Sequence, residues 1–271
     1  MSNLQLRVIS ALVMAIVVLG LTWLGGLPFR ILSAAIAAAI FYEWCAMART
    51  VANGSFQMLA AACLGVVLVA LVAGYSAPVV LAVLGFALIA ALAAGLLRGQ
   101  GTWPGAGLAY AGLAAVSIAF LRDSDNAGLM AILFLFAVVW ATDILAYFVG
   151  RAIGGPKLAP SISPGKTWSG AVGGTLGGMA AGLAVATAAG STSTALLLAA
   201  ALLLSVVSQI GDLFESWIKR RHGVKDSGKL IPGHGGVMDR VDGLVAAGFA
   251  LYLICAALGG IDHPAQGLFS V

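Results

Sequence analysis

Charge is what this 271-residue sequence has least of: Asp, Glu, Lys and Arg make up 9% of it, against 61% hydrophobic residues and a mean hydropathy of +1.06. Ten acidic and fourteen basic side chains cannot solvate the surface of a water-soluble protein of this length, so most of that surface has to face lipid. Cysteine is scarce too. Cys45, Cys63 and Cys255 sit in apolar stretches with no Cys-x-x-Cys pair and no neighbouring His, which argues against a disulfide framework or a zinc site. The net charge of +4 is therefore no nucleic-acid signal; it matters through the side of a bilayer that the positive residues occupy. No clear small-x-small cleavage site precedes Leu27-Pro28, so the apolar stretch after Arg7 reads as a retained span rather than a secretory signal.

Long hydrophobic runs are what the sequence has in plenty. A transmembrane helix needs about 20 mostly apolar residues, and nine stretches qualify: 8–24, 31–48, 57–74, 79–97, 104–121, 128–150, 169–189, 195–214 and 243–261. An all-α polytopic membrane protein of about nine transmembrane helices is expected. Positive residues are retained in short cytoplasmic loops. With the N-terminus cytoplasmic, Arg7, Arg49, Arg98, Arg151, Lys157, Lys166, Lys219, Arg220, Arg221, Lys225, Lys229 and Arg240 all fall inside, and only Arg30 and Arg122 fall outside. The C-terminal tail, 262–271, is then outside. No soluble domain or linker is visible, so the chain reads as a single integral membrane domain, with scaffold spans over 1–127 and catalytic spans and loops over 128–271. In the seventh span Gly170, Gly174, Gly178 and Gly182 recur every four residues. Such a smooth stripe permits close helix approach, either within the chain or across a homodimer seam.

Charged groups at membrane depth are costly unless they face a polar cavity or a partner, and here they cluster. Ser205, Ser208, Asp212, Glu215, Ser216 and Lys219 follow the three- and four-residue steps that share a helix face, so a polar stripe is expected to run from membrane depth into a cytoplasmic loop over 215–242. That loop carries Arg220, Lys225, His234, Gly235, Gly236 and Arg240. Glycines let backbone amides approach an anion, and Lys and Arg neutralise phosphate. Carboxylates would repel a polyphosphate unless a hard cation such as Mg²⁺ lay between them. Asp212, Asp239 and Asp242 amid these cations therefore point to a metal–nucleotide site at the membrane surface. His234 is open to three readings: a satisfied loop histidine, a phosphate contact or an acid–base group. A positive-inside loop touching anionic lipid would explain Lys219 to Arg221 alone, but not Asp212, Asp239 and the glycines.

A second loop, 151–168, contains Lys157, Ser161, Ser163, Pro164, Gly165, Lys166 and Thr167. Gly165-Lys166-Thr167 is not a nucleotide P-loop, because Pro160 stands at the first glycine position and no strand is expected before it. Its Ser, Thr and Lys donors still suit a phosphate. Asp143, inside the sixth span, is expected to be functional or to have a buried partner. Glu43, near a helix end, reads as a side chain that snorkels to the interface.

Ser216-x-Ile218-Lys219-Arg220, Lys225-Asp226-x-Gly228, Ile231-Pro232, His234-Gly235-Gly236-Val237 and Asp239-Arg240-Val241-Asp242 together resemble the signature of the phosphatidate cytidylyltransferase (CDP-diacylglycerol synthase) family. The upstream block Ser161-x-Ser163-Pro164-x-Lys166-Thr167-Trp168 is similar to that of its bacterial members, with Gly165 where a second Lys is often found. The resemblance implies an inner-membrane enzyme with its site facing the cytoplasm, converting CTP and phosphatidic acid to CDP-diacylglycerol and pyrophosphate. It implies Mg²⁺, with a monovalent cation as a further candidate. The catalytic set it implies is Asp212, Ser216, Lys219 and Asp239. The metal ligands would be Asp212 and Asp239, with Asp242 and Asp143 as further candidates. The phosphate-binding set comprises Ser163, Lys166, Thr167, Arg220, Lys225, His234, Gly235, Gly236 and Arg240. Two rivals fare worse. A CDP-alcohol phosphotransferase needs an Arg where Ala247 stands after Asp242-Gly243, and a transporter would be expected to carry an inverted repeat that is not evident here.

Overall fold

The computed structural model describes residues 3–48, 54–99, 101–190 and 193–269; Arg49 lies outside them. Among these residues there are nine α-helices: α1 (Asn3–Leu24), α2 (Gly26–Met47), α3 (Gly54–Val72), α4 (Ala77–Leu97), α5 (Trp103–Arg122), α6 (Asn126–Ile153), α7 (Trp168–Ala188), α8 (Thr194–Arg221) and α9 (Met238–Gly259). Two short strands, β1 (Lys157–Ala159) and β2 (Ser163–Thr167), lie between α6 and α7. Eight helices are long and apolar enough to cross a bilayer, and α3 has a shorter apolar stretch, Phe56–Val72. The chain is a multi-pass membrane protein.

Two segments differ from the loops expected of them. Over 151–168 the chain forms an antiparallel hairpin, Lys157 opposite Thr167 and Ala159 opposite Ser163, closed by the Ile162 amide donating to the Ala159 carbonyl at 3.2 Å. A strand does precede the Gly165-Lys166-Thr167 triplet, but it pairs with the strand that holds the triplet. The second difference is α8, which continues past Phe214 to Arg221. Glu215 and Lys219 pair at 3.0 Å across one helical turn, and Lys219, Arg220 and Arg221 complement the negative end of the helix dipole. The helix ends before Gly223, whose φ of 69° only glycine adopts freely.

The chain forms two compact units, one of 1–120 with 222–240 and the other of 121–221 with 241–271. In the first, Trp44 of α2 and Trp103 of α5 stack with centroids 4.5 Å apart, each indole N–H donating to the other's carbonyl at 3.0 and 3.2 Å. In the second, the glycine stripe of α7 is buried along α6. A Cβ on Gly170 or Gly174 would come 2.6 Å from the carbonyl oxygens of Ala146 or Thr142. Gly178 faces the Thr142 hydroxyl, which also donates to Ser205 of α8 at 2.8 Å. The stripe thus serves packing within the chain. Gly174→Val should force the two helices apart and destabilise the protein by about 2 kcal/mol, read as a lower melting temperature in detergent; an unchanged melting temperature would refute the close packing.

Candidate functional site

In the second unit, residues spaced three and four apart place Asp143, Ala146, Tyr147, Gly150 and Arg151 along one face of α6, and this face lines a cavity of about 620 Å³. Lys157 of β1, Lys166 and Thr167 of β2, and Gln209 and Asp212 of α8 complete its polar wall. The close packing of α6 on glycines of α7 brings the hairpin that follows α6 over the end of α8. Lys166 forms an ion pair with Asp212. The Ser216 hydroxyl lies 3.4 Å from the other Asp212 oxygen, and the Arg151 guanidinium donates to the Tyr147 hydroxyl at 3.0 Å. The cavity therefore holds Asp143 and Asp212 beside three cations, Arg151, Lys157 and Lys166.

Asp242, in the second turn of α9, accepts the Gly243 amide at 2.7 Å and feels the charges of Asp212, Asp143 and Lys219. Three carboxylates in electrostatic range of one another repel unless a cation balances them, and Lys166 now takes that part at Asp212. Among the described residues no group of three or more His, Cys, Asp or Glu side chains is spaced to hold a metal ion. The donors are nonetheless hard carboxylate oxygens, the chemistry that a divalent cation such as Mg²⁺ requires.

Other expected site residues of this unit have structural partners. Thr167 caps α7, its hydroxyl oxygen accepting the Gly170 amide at 3.1 Å. Ser163 sits at the start of β2, outside the cavity lining. Lys219 pairs with the fully buried Glu215, and Arg220 reaches the Ile162 carbonyl in the hairpin turn at 3.4 Å. Ser205 and Ser208 of the polar stripe are fully buried in helix packing, while Asp212 and Ser216 lie toward the cavity end of the stripe.

In the first unit, the 222–237 loop is organised by Glu43, which is fully buried and does not snorkel. Its carboxylate accepts the Ser227 hydroxyl at 3.0 Å, the Val237 amide at 2.9 Å and the Met238 amide at 2.8 Å. Gly228 and Gly236 are required by this arrangement: a Cβ on either would come 2.5 Å from a Glu43 oxygen. The Gly236 amide donates to Asp239 at 2.9 Å, as does the Ser227 amide, so Asp239 and Gly236 hold the loop's shape. Around the loop, Arg7, Lys225, Asp226, His234, Gly235 and Arg240 line an open cavity of about 360 Å³. His234 meets the Ser10 hydroxyl through Nδ1 at 2.9 Å. Three cations and a histidine around one cavity suit an anion.

The expected residues thus fall into two groups: Asp143, Lys166, Thr167 and Asp212 around one cavity with Asp242 in electrostatic range, and Lys225, His234, Gly235 and Arg240 around another. The sequence reading passed over Tyr147 and Gln209, weighed Arg7 and Arg151 only as topology signals, and read Glu43 as a side chain that snorkels. The helical steps from Asp143 to Tyr147 and Arg151 were a usable signal; Glu43, bonded to residues more than 180 positions away, had none.

The chain matches the cytidylyltransferase family over residues 5–258. It is 49% identical over 274 residues to a phosphatidate cytidylyltransferase of Brucella suis, covering the whole of both chains. It is 53% identical over 118 residues to a phosphatidate cytidylyltransferase of Pseudomonas aeruginosa, covering 43% of this chain and 44% of the relative. One of Bacillus subtilis is 41% identical over 137 residues, about half of each chain. A match running almost from end to end, on a chain whose polar cavities pair carboxylates with phosphate-neutralising cations, settles the assignment: the chain belongs to the cytidylyltransferase family and is a nucleotidyltransferase.

Proposed function

We propose that this protein transfers the cytidylyl group of CTP to phosphatidic acid, giving CDP-diacylglycerol and pyrophosphate, at the cytoplasmic surface of the inner membrane. The observation that carries the proposal is the 620 Å³ cavity, where Asp143 and Asp212 stand beside Arg151, Lys157 and Lys166. In this reaction a phosphate oxygen of phosphatidate attacks the α-phosphorus of CTP, a new P–O bond forms, and the bond from that phosphorus to the bridging oxygen of pyrophosphate breaks. The nucleophile is already an anion, so the protein has no strong base to supply. Its task is to neutralise charge and hold the two phosphates in line.

In the 620 Å³ cavity Lys166, Arg151 and Lys157 take the phosphate of the lipid; within the first unit, Lys225, His234, Arg240 and the backbone at Gly235 form a separate set of phosphate contacts. Asp212, with Asp143 or Asp242 as a second carboxylate, would hold Mg²⁺ together with substrate phosphates, with a monovalent cation as a second ion; the bound metal would screen charge on the pyrophosphate leaving group. Within the first unit, Asp239 fixes the loop that carries Lys225 and His234. The twelve positive residues grouped on one side of nine crossings support a cytoplasmic N-terminus and site. A homodimer, if formed, would use a face other than the buried glycine stripe.

Purified protein given labelled CTP, phosphatidate and Mg²⁺ should form CDP-diacylglycerol and release pyrophosphate in equal amounts. Product formation that does not require phosphatidate, or no labelled lipid at all, would refute the proposal.

A further inference from the structure

Beside the polar cavity of the second unit lies an apolar cavity of about 410 Å³ between α7 and α8. The two share a wall, since Leu158, Ala171 and Gln209 line both. From there the apolar cavity follows Val172, Leu176 and Met179 down α7 and Ile210, Val206 and Leu202 up α8. Thr175 and Gln209 in its lining are hydrogen-bonded: the Gln209 amide donates to the Thr175 hydroxyl at 3.0 Å, and that hydroxyl donates to the Ala171 carbonyl at 3.0 Å. Val172, Leu176 and Ile210 are more than half exposed, so the groove opens sideways to lipid. Eight residues separate Ala171 from Met179, a helical rise of about 12 Å.

We infer that this groove holds one acyl chain of the phosphatidate substrate and that Met179, at its deep end, helps set chain-length preference. The inference rests on the function proposed above. A lipid whose phosphate is neutralised by Lys166 and Arg151 must route its chains out of a polar cavity, and the wall shared with this groove is an apolar exit that opens to the bilayer. Burial supplies little driving force, because bilayer chains are as apolar as the groove. What the groove supplies is alignment: a chain held along α7 and α8 fixes the glycerol, and through it the attacking phosphate oxygen.

Met179→Trp fills the deep end of the groove without touching the polar cavity. It should lower kcat/KM for dioleoyl phosphatidate about tenfold, while kcat/KM for dihexanoyl phosphatidate and KM for CTP stay as in the wild type. Met179→Ala, which cannot clash, should shift the ratio of the two substrates toward the longer one and keeps the test open if the Trp variant misfolds. Equal losses on both phosphatidates, or no loss on either, would overturn the groove assignment. A wild-type protein that makes no CDP-lipid would instead overturn the function on which it rests.

Discussion

Asp212→Asn should reduce CDP-diacylglycerol formation by about 10³-fold while leaving the protein folded. Asp212 is the carboxylate that Lys166 pairs with, that Ser216 approaches at 3.4 Å, and whose charge bears on both Asp143 and Asp242. Removing its charge lowers the repulsion among three like charges, which offsets the loss of an ion pair whose side chains are 28% and 27% exposed. Chemistry loses more. Lys166 is no longer held in place, and the anionic centre proposed to hold a cation is weakened. The measurement is CDP-lipid formation alongside a melting curve. Activity within tenfold of wild type would remove Asp212 from the site, whereas lost activity with a matching drop in melting temperature would make its role structural.

Glu43→Gln is expected to act in the opposite way, through structure first. The Glu43 carboxylate accepts one hydroxyl and two backbone amides, and all three donors belong to the loop or to the first residue of α9. A glutamine puts an NH₂ group where one of the two oxygens stood, so at least one amide faces a donor in a fully buried position. The loss of charge-assisted hydrogen bonds to a buried acceptor costs about 3 kcal/mol. Opening of the 222–237 loop should rise roughly a hundredfold, and trypsin should cut after Lys225 or Lys229 faster by a similar factor. Activity should fall with it, because Lys225, His234 and Gly235 are held by that loop. Unchanged proteolysis would show that Glu43 does not organise it.

The nine helices were legible because each needs about twenty apolar residues, and a run of that length has no other reading in a chain so poor in charge. Their ends were less so. The end of α8 was hidden because Glu215 to Arg221 is polar, which suggests a loop by composition, while a turn-spaced ion pair and the dipole keep it helical. The hairpin at 157–167 was missed because one of its strands contains Pro164 and Gly165, residues that oppose a strand unless tertiary packing overrides them. The motif residues themselves were visible by spacing, but not the division of labour among them. Gly236 and Asp239 read as ligand-facing, and both are occupied in shaping the loop.

By itself the sequence determined a membrane protein, its helices and the chemistry to be expected of its polar segment, since these follow from hydrophobicity and local spacing. Tertiary structure decided what no spacing encodes. It determined that the glycine stripe packs against α6, that Lys166 lies on Asp212, and that Glu43 ties down a loop nearly two hundred residues away. Those outcomes depend on which helices pack together. Near-uniform apolar helix surfaces leave that choice to close packing and to a few buried polar groups that must find partners.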